Sequence, residues 1–220
     1  MLFGVLRKDL LIEWRARTRG MALACFAFLL LLLFSFAVGP DTATLSRHAP
    51  AYLWLCMLLC STLLLAASFQ VEVEAGALER LILTPVSPPA LFYGKALANA
   101  AQLAMLATGA MAISVVLFDA PLPQAPLALG AALLLGAGGL AAPGTLYAAL
   151  TSRIPARQLL LPLLLFPLVV PVLLAAVKAT SLALLGDPMG QVGSWLTLLV
   201  CFDAVYWSLC GVLFGKVIDL

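Results

Sequence analysis

Apolar residues fall into six long blocks: Met21–Val38, Ala51–Phe69, Leu97–Phe118, Leu127–Leu150, Leu159–Val177 and Trp195–Phe214. Each has about the length needed to cross roughly 30 Å of hydrocarbon as a helix. Backbone groups in lipid must find partners within their own segment, so blocks of this kind predict helices, and the alternation expected of a membrane barrel is absent. Ahead of the first block, Phe3, Leu6, Leu10 and Trp14 share one helical stripe, flanked by Arg7, Lys8, Glu13 and Arg15. Residues 1–20 therefore predict an amphipathic helix lying in the membrane interface. A cleavage site of the kind seen after secretory leaders is suggested faintly by Ala37-Val38-Gly39, but the long charged stretch ahead of the apolar core favours a retained span.

Two blocks carry small residues at helical spacing. The third has Ala96, Ala100, Ala104, Thr108 and Ala112, and the fourth pairs Ala132/Gly136, Ala137/Ala141 and Gly138/Ala142. Such faces let helix backbones approach closely in lipid. The fifth holds Pro162, Pro167 and Pro171, which predict a kink. Between the fifth and sixth blocks, Lys178–Ser194 contains a short apolar run, Ser181–Leu185, and then Gly186, Asp187, Pro188 and Gly190. A short re-entrant or interfacial turn is expected there.

Composition agrees with the block pattern. The 220 residues are 64% apolar and 10% charged, with a mean hydropathy of +1.13, against roughly 45–50% and about 25% in soluble domains. The net charge of +2 carries no nucleic-acid signal, but its placement is informative. Arg7, Lys8, Arg15, Arg17, Arg19, Arg80, Lys95, Arg153, Arg157 and Lys216 fall on the side of the termini, and Arg47 and Lys178 on the other. That asymmetry predicts both termini in the cytoplasm. The expected architecture is an all-α membrane protein: a single transmembrane domain over 1–220, with six transmembrane helices near 21–38, 51–69, 97–118, 127–150, 159–177 and 195–214, and a cytoplasmic coupling loop at 70–96.

Candidate chemistry is sparse. Cys25, Cys56, Cys60, Cys201 and Cys210 all lie inside apolar blocks without ligand spacing, and read as small buried hydrophobes rather than a disulfide or zinc framework. His48, in the first outer loop beside Arg47, is a candidate haem or metal ligand, with a solvated loop residue as the plainer reading. Gly94-Lys95 lacks the glycine and hydroxyl of a phosphate loop, so any ATP must be hydrolysed by another chain, and the chain is expected not to be an enzyme. Asp203 is the one ionisable residue inside a predicted span. A charge at that depth is expensive, so it should face protein or a water-filled cavity, held neutral or bonded to hydroxyls, with Tyr206 on its face. Between the second and third blocks, Leu78, Leu81 and Ile82 make a small apolar face beside Glu79 and Arg80, and Thr84-Pro85 ends it. A short helix of this kind suits docking into a partner's groove.

The run E-x-G-A-L-E-R-L-I-L-T-P-V-S at Glu74–Ser87, followed by Gly94-Lys95, resembles the cytoplasmic loop of type-2 ABC exporter permeases. Several further features make the chain similar to the haem exporter protein B (CcmB) family of cytochrome c maturation. They are the length, Gly39-Pro40, L-x-R-x-A-P-x-x-x-W at Leu45–Trp54, the glycine-rich fourth block and the proline pattern at Leu160–Leu174. The resemblance covers essentially the whole chain. It implies an ATPase-coupling role for Glu74, Gly76, Leu78, Glu79, Leu81, Thr84 and Pro85, in a permease of the bacterial inner membrane. The implied partners are an ATP-binding subunit, a second copy of the chain, a multi-span haem-handling protein, a small single-span subunit and a periplasmic haem chaperone. Haem would be the ligand transported or handled, with no cofactor bound by this chain, and ATP would act through the partner. Whether haem crosses the bilayer or the haem-loaded chaperone is released stays open. Two other readings also stay open: a type-2 permease for a drug, lipid or polysaccharide, and a non-transporting assembly scaffold.

Overall fold

A computed structural model describes residues 17–74, 88–151 and 157–218. These residues form six helices, as expected: α1 Arg17–Val38, α2 Thr42–Glu74, α3 Pro88–Leu117, α4 Pro126–Thr151, α5 Arg157–Leu185 and α6 Val192–Ile218. All six are long and apolar enough to cross a membrane. The loop end of the bundle is the one at which α2 ends, at Glu74, and α3 begins, at Pro88. Most of the expected interfacial helix at 1–20 lies outside the described residues.

Helix ends explain where the apolar blocks and the helices differ. Asp41 caps α2: its Oδ1 accepts from the Thr44 amide at 3.2 Å and its Oδ2 from the Thr44 hydroxyl at 2.6 Å. That cap starts α2 ahead of the second apolar block and leaves Pro50 inside it. Gly39 and Gly186 close α1 and α5 in the left-handed region, at φ 79° and 102°, each donating its amide four residues back, to Ser35 and Leu182. This is the αL stop for which glycine is suited.

The expected re-entrant turn at Lys178–Ser194 is corrected by the extent of α5. That helix continues unbroken through Ser181–Leu185 to Gly186, and its last turns are fixed because Thr180, Ala183 and Leu184 are buried. The amides of Gln124 and Ala125 also dock on the Ala183 carbonyl. The three prolines stand within this same continuous helix.

The centre of the bundle is α4, which packs against α2, α3, α5 and α6. Its small-residue face is buried as expected, including Ala132, Gly136, Ala137, Gly138, Ala141 and Ala142. On α3, Ala96 is buried while Thr108 and Ala112 are exposed, so that stripe makes its contact over the loop-end half alone. α1 packs on α2 and α3 and turns Met21, Leu29, Leu33 and Phe36 outward. An apolar outward face is what lipid requires.

Candidate functional site

In the membrane core, helix pairs gain little from the hydrophobic effect, so close backbone approach and scattered polar contacts decide which faces meet. Four such contacts stand out among the described residues, and α4 takes part in three of them. Trp54 of α2 lies with its six-membered ring against Gly136, in space that a Cβ there would occupy. The same indole donates from Nε1 to the Thr180 hydroxyl of α5 at 3.0 Å. Asn99 of α3 donates to the Thr145 hydroxyl of α4 at 2.9 Å, with both residues buried. One turn nearer the loop end, Lys95 of α3 donates to the Ser68 carbonyl of α2 at 3.4 Å. Its side chain is only 2% exposed, which is rare for lysine.

The remaining contact involves Asp203 of α6. Its carboxyl group rests on the bare backbone of α4: a Cβ at Gly138 would stand 3.0 Å from Oδ2, and one at Gly139 would stand 3.0 Å from Oδ1. The acid therefore faces protein, at the middle of three helices. Of the two expected states, neutral or bonded to hydroxyls, no hydroxyl is found on Oδ1 among the described residues. Oδ1 is buried and finds no hydrogen-bond partner among the described residues. Ser208 instead donates back to the Ala204 carbonyl at 2.7 Å, and Tyr206 stacks on Phe202 with ring centroids 4.0 Å apart.

His48 is also repositioned. It belongs to the second turn of α2 rather than to a loop, because the Asp41 cap begins the helix earlier than the apolar block suggests. Its Nδ1 donates to the Thr44 carbonyl at 2.9 Å. That bond leaves the exposed Nε2 lone pair as the one able to bind a metal. Among the described residues no cluster of three His, Cys, Asp or Glu side chains could hold a metal ion.

Of the coupling residues, Glu74 ends α2. Gly76, Leu78, Glu79, Leu81, Thr84 and Pro85 lie outside the described residues. The cysteines Cys56, Cys60 and Cys210 are buried as expected, whereas Cys25 and Cys201 face outward. Both stand on exposed faces of apolar helices, which accept a small apolar thiol as readily as a core does. A cleft of about 280 Å³ opens between α1 and α3, lined by Leu23, Ala24, Met105, Gly109 and Ile113, among others, with Gln102 as its polar member.

Sequence reasoning missed Asn99 and placed Lys95 in the cytoplasmic loop at 70–96, whereas α3 begins at Pro88 and holds Lys95 buried inside it. The available signal was a polar pair one helical turn apart at the start of an apolar block.

Comparison with known proteins bears on the whole chain. The family profile described as "CcmB protein" matches residues 1–218. Heme exporter protein B of Rhodobacter capsulatus is 38% identical over 172 residues, covering 78% of each chain. The protein of the same name from Paracoccus denitrificans is 37% identical over 193 residues, covering 84% of this chain and 85% of that one. That from Bradyrhizobium diazoefficiens is 31% identical over 202 residues, with 84% and 83% covered.

Proposed function

The chain belongs to the CcmB protein family, and from that membership we propose that it is the membrane permease subunit of an ABC transporter. The transporter's task is haem export in c-type cytochrome biogenesis. The observation that carries this reading is the family match over residues 1–218, which takes in both the six spans and the loop motif at Glu74–Ser87. The chain is a multi-pass protein of the bacterial inner membrane.

ATP is bound and hydrolysed by a partner subunit, since this sequence has no phosphate loop. Docking falls to the segment 75–87. Its apolar face, Leu78, Leu81 and Ile82, enters a groove of the ATP-binding subunit, Glu79 and Arg80 stand at the rim, and Glu74, Gly76, Thr84 and Pro85 shape the segment's ends. Both termini and this segment face the cytoplasm, in keeping with the distribution of Lys and Arg. The permease works as two copies on two ATP-binding subunits, beside a multi-span haem-handling protein, a small single-span subunit and a periplasmic haem chaperone. Haem is the cargo, and Asp203 lines the gating path between α4 and α6.

The test is complementation. In a strain lacking its own copy of this permease, the chain restores covalent haem on c-type cytochromes, read by haem staining. Glu79→Lys and Leu81→Asp insert normally, yet lose the ATP-binding subunit on purification and lose maturation with it. Full maturation without the permease would overturn the function, and unchanged co-purification in both variants would overturn the docking role. Haem-stimulated ATP hydrolysis by reconstituted permease–ATPase particles distinguishes an exporter from a scaffold.

A further inference from the structure

We propose that Lys95 and Asn99 form a polar relay that carries movement of the segment 75–87 into α4, acting as positioning residues and not as docking ones. The inference rests on the reading of that segment as the ATPase-docking element.

The geometry begins with burial. Lys95 and Asn99 are each 2% exposed, and Thr145 is fully buried. Lysine and asparagine cost free energy inside an apolar bundle unless their polar atoms are bonded, and each makes a bond to another helix. Lys95 reaches α2 at the Ser68 carbonyl, and Asn99 reaches α4 at the Thr145 hydroxyl. The two residues stand four apart on α3, and so lie one above the other on the same face. The segment 75–87 leaves the bundle from α2 and re-enters it at α3. Any displacement of that segment therefore pulls on the two helices that Lys95 ties together. With α2 and α3 clasped at Ser68, the pull is delivered as a common movement, and the Asn99 amide passes it to Thr145.

That route ends at the right element. α4 packs against four of the other five helices, and its face bears Gly138 and Gly139 against Asp203. A displacement entering at Thr145 is therefore imposed on the contact with α6 and on the packing with α5. Apolar packing does not itself require either polar residue, because Phe92, Ala96 and Leu103, buried on the same helix, already supply it there. A pathway of this kind needs evidence of coupling, not only of contact.

The assay uses the assembled complex in a maturation-competent strain. It measures co-purification of the ATP-binding subunit, ATP hydrolysis by the purified complex, and cytochrome c maturated per ATP hydrolysed. Lys95→Met and Asn99→Leu keep the ATP-binding subunit at the wild-type ratio and keep hydrolysing ATP. Their maturation per ATP falls at least about fivefold, the lower end of allosteric coupling. Lys95→Arg, which retains the donor and the charge, recovers most of that loss. The double variant is no worse than the more severe single one, because both lie on one route. Asn99→Leu, close in volume to the native residue, carries the test if Lys95→Met fails to accumulate in the membrane.

Wild-type maturation per ATP in both variants overturns the relay. So does a fall in ATP hydrolysis and maturation together with membrane level, which marks a purely structural pair. Leu81→Asp, run alongside, reports on docking itself. If it retains the ATP-binding subunit, the docking reading fails and the relay falls with it. If it sheds the subunit while Lys95→Met and Asn99→Leu keep wild-type maturation per ATP, the relay alone fails.

Discussion

Gly136→Ala adds one methyl group where the Trp54 ring already lies. The helix backbone of α4 cannot retreat easily, since it is packed on four sides, so the indole must move. Forcing a methyl group into a filled core costs about 1–3 kcal/mol. Displacing the ring also breaks its hydrogen bond to Thr180, worth about 0.6 kcal/mol on average and up to about 1.7 between membrane-embedded side chains. The two effects give an expected loss of about 2–4 kcal/mol. Denaturant titration of the detergent-purified protein, followed by tryptophan fluorescence and circular dichroism, measures it. The contact can be isolated with Trp54→Phe, which removes the distal ring atoms that meet Gly136. Placed on the Gly136→Ala background, it should recover at least about 1 kcal/mol relative to the sum of the single effects, as expected for neighbours that couple. A Gly136→Ala change within about 0.5 kcal/mol of wild type, the range of ordinary surface substitutions, would refute the contact. Strict additivity in the double variant would refute it as well.

Three further outcomes follow from named contacts. Asp203→Asn keeps the shape of the side chain and its capacity to hydrogen bond, so a gating role predicts reduced cytochrome c maturation at unchanged membrane level; full maturation in Asp203→Asn, with loss only in Asp203→Leu, would leave packing as its role. In a background without the native cysteines, single cysteines near His48, Pro123 and Asp187 should react with impermeant reagents from the periplasm, and those near Glu13, Glu79 and Ile154 from the cytoplasm; periplasmic labelling of Glu79→Cys would reverse the arrangement. Asp187 accepts from the Gln191 and Val192 amides at 2.8 and 2.7 Å, and those backbone bonds hold its carboxyl below the ordinary value of 3.8. A depressed carboxyl stabilises the fold above its unfolded value and loses that contribution as pH falls through the folded one, so protection from hydrogen exchange at the start of α6, relative to the unstructured rate at the same pH, should be high at neutral pH and fall only under acid, and the same acid sensitivity in Asp187→Ala would remove the carboxyl as its cause.

The six helices were legible because lipid leaves a chain few choices. It demands length, apolar side chains and internal backbone pairing, and all three are one-dimensional properties. The burial of α4 was legible for a related reason, since small residues four apart have little use in lipid except close approach. Partnership across helices was not legible. Nothing local to Trp54 indicates that its ring lies on Gly136, and nothing local to Asp203 indicates a glycine backbone opposite in place of a hydroxyl. Helix ends misled where polar residues were taken for loop. Lys178, Thr180 and Ser181 are polar, yet α5 continues through them because its inner face is buried to Leu184. The run before Pro50 looked like a loop for the same reason, although the Asp41 cap starts the helix there and carries it on through that proline.

The size of the interhelical contacts bears on how the bundle can work. Each neutral polar bond between embedded side chains is worth only about 0.6 kcal/mol on average, so the bonds from Trp54 and Asn99 cannot be what hold six helices together. Adhesion comes from backbone approach along the small-residue face of α4, where many weak dispersion contacts add up. Those contacts tolerate sliding, because a surface of glycine and alanine has shallow ridges. The polar contacts do not tolerate it, since a hydrogen bond weakens steeply once its distance and angle are lost. Register therefore depends on a few directional contacts at different depths: Asn99 with Thr145 towards the loop end, and Trp54 with Thr180 on the far side of Asp203. Asp203 occupies the interval between them, on glycines and without a donor for Oδ1. Neither bond reaches α6: among the described residues, the Tyr93 hydroxyl of α3 donates to its Trp207 carbonyl at 3.3 Å, and beside Asp203 α6 meets α4 through glycine backbone alone. The interval that holds Asp203 is where a gate between α4 and α6 would open at least cost.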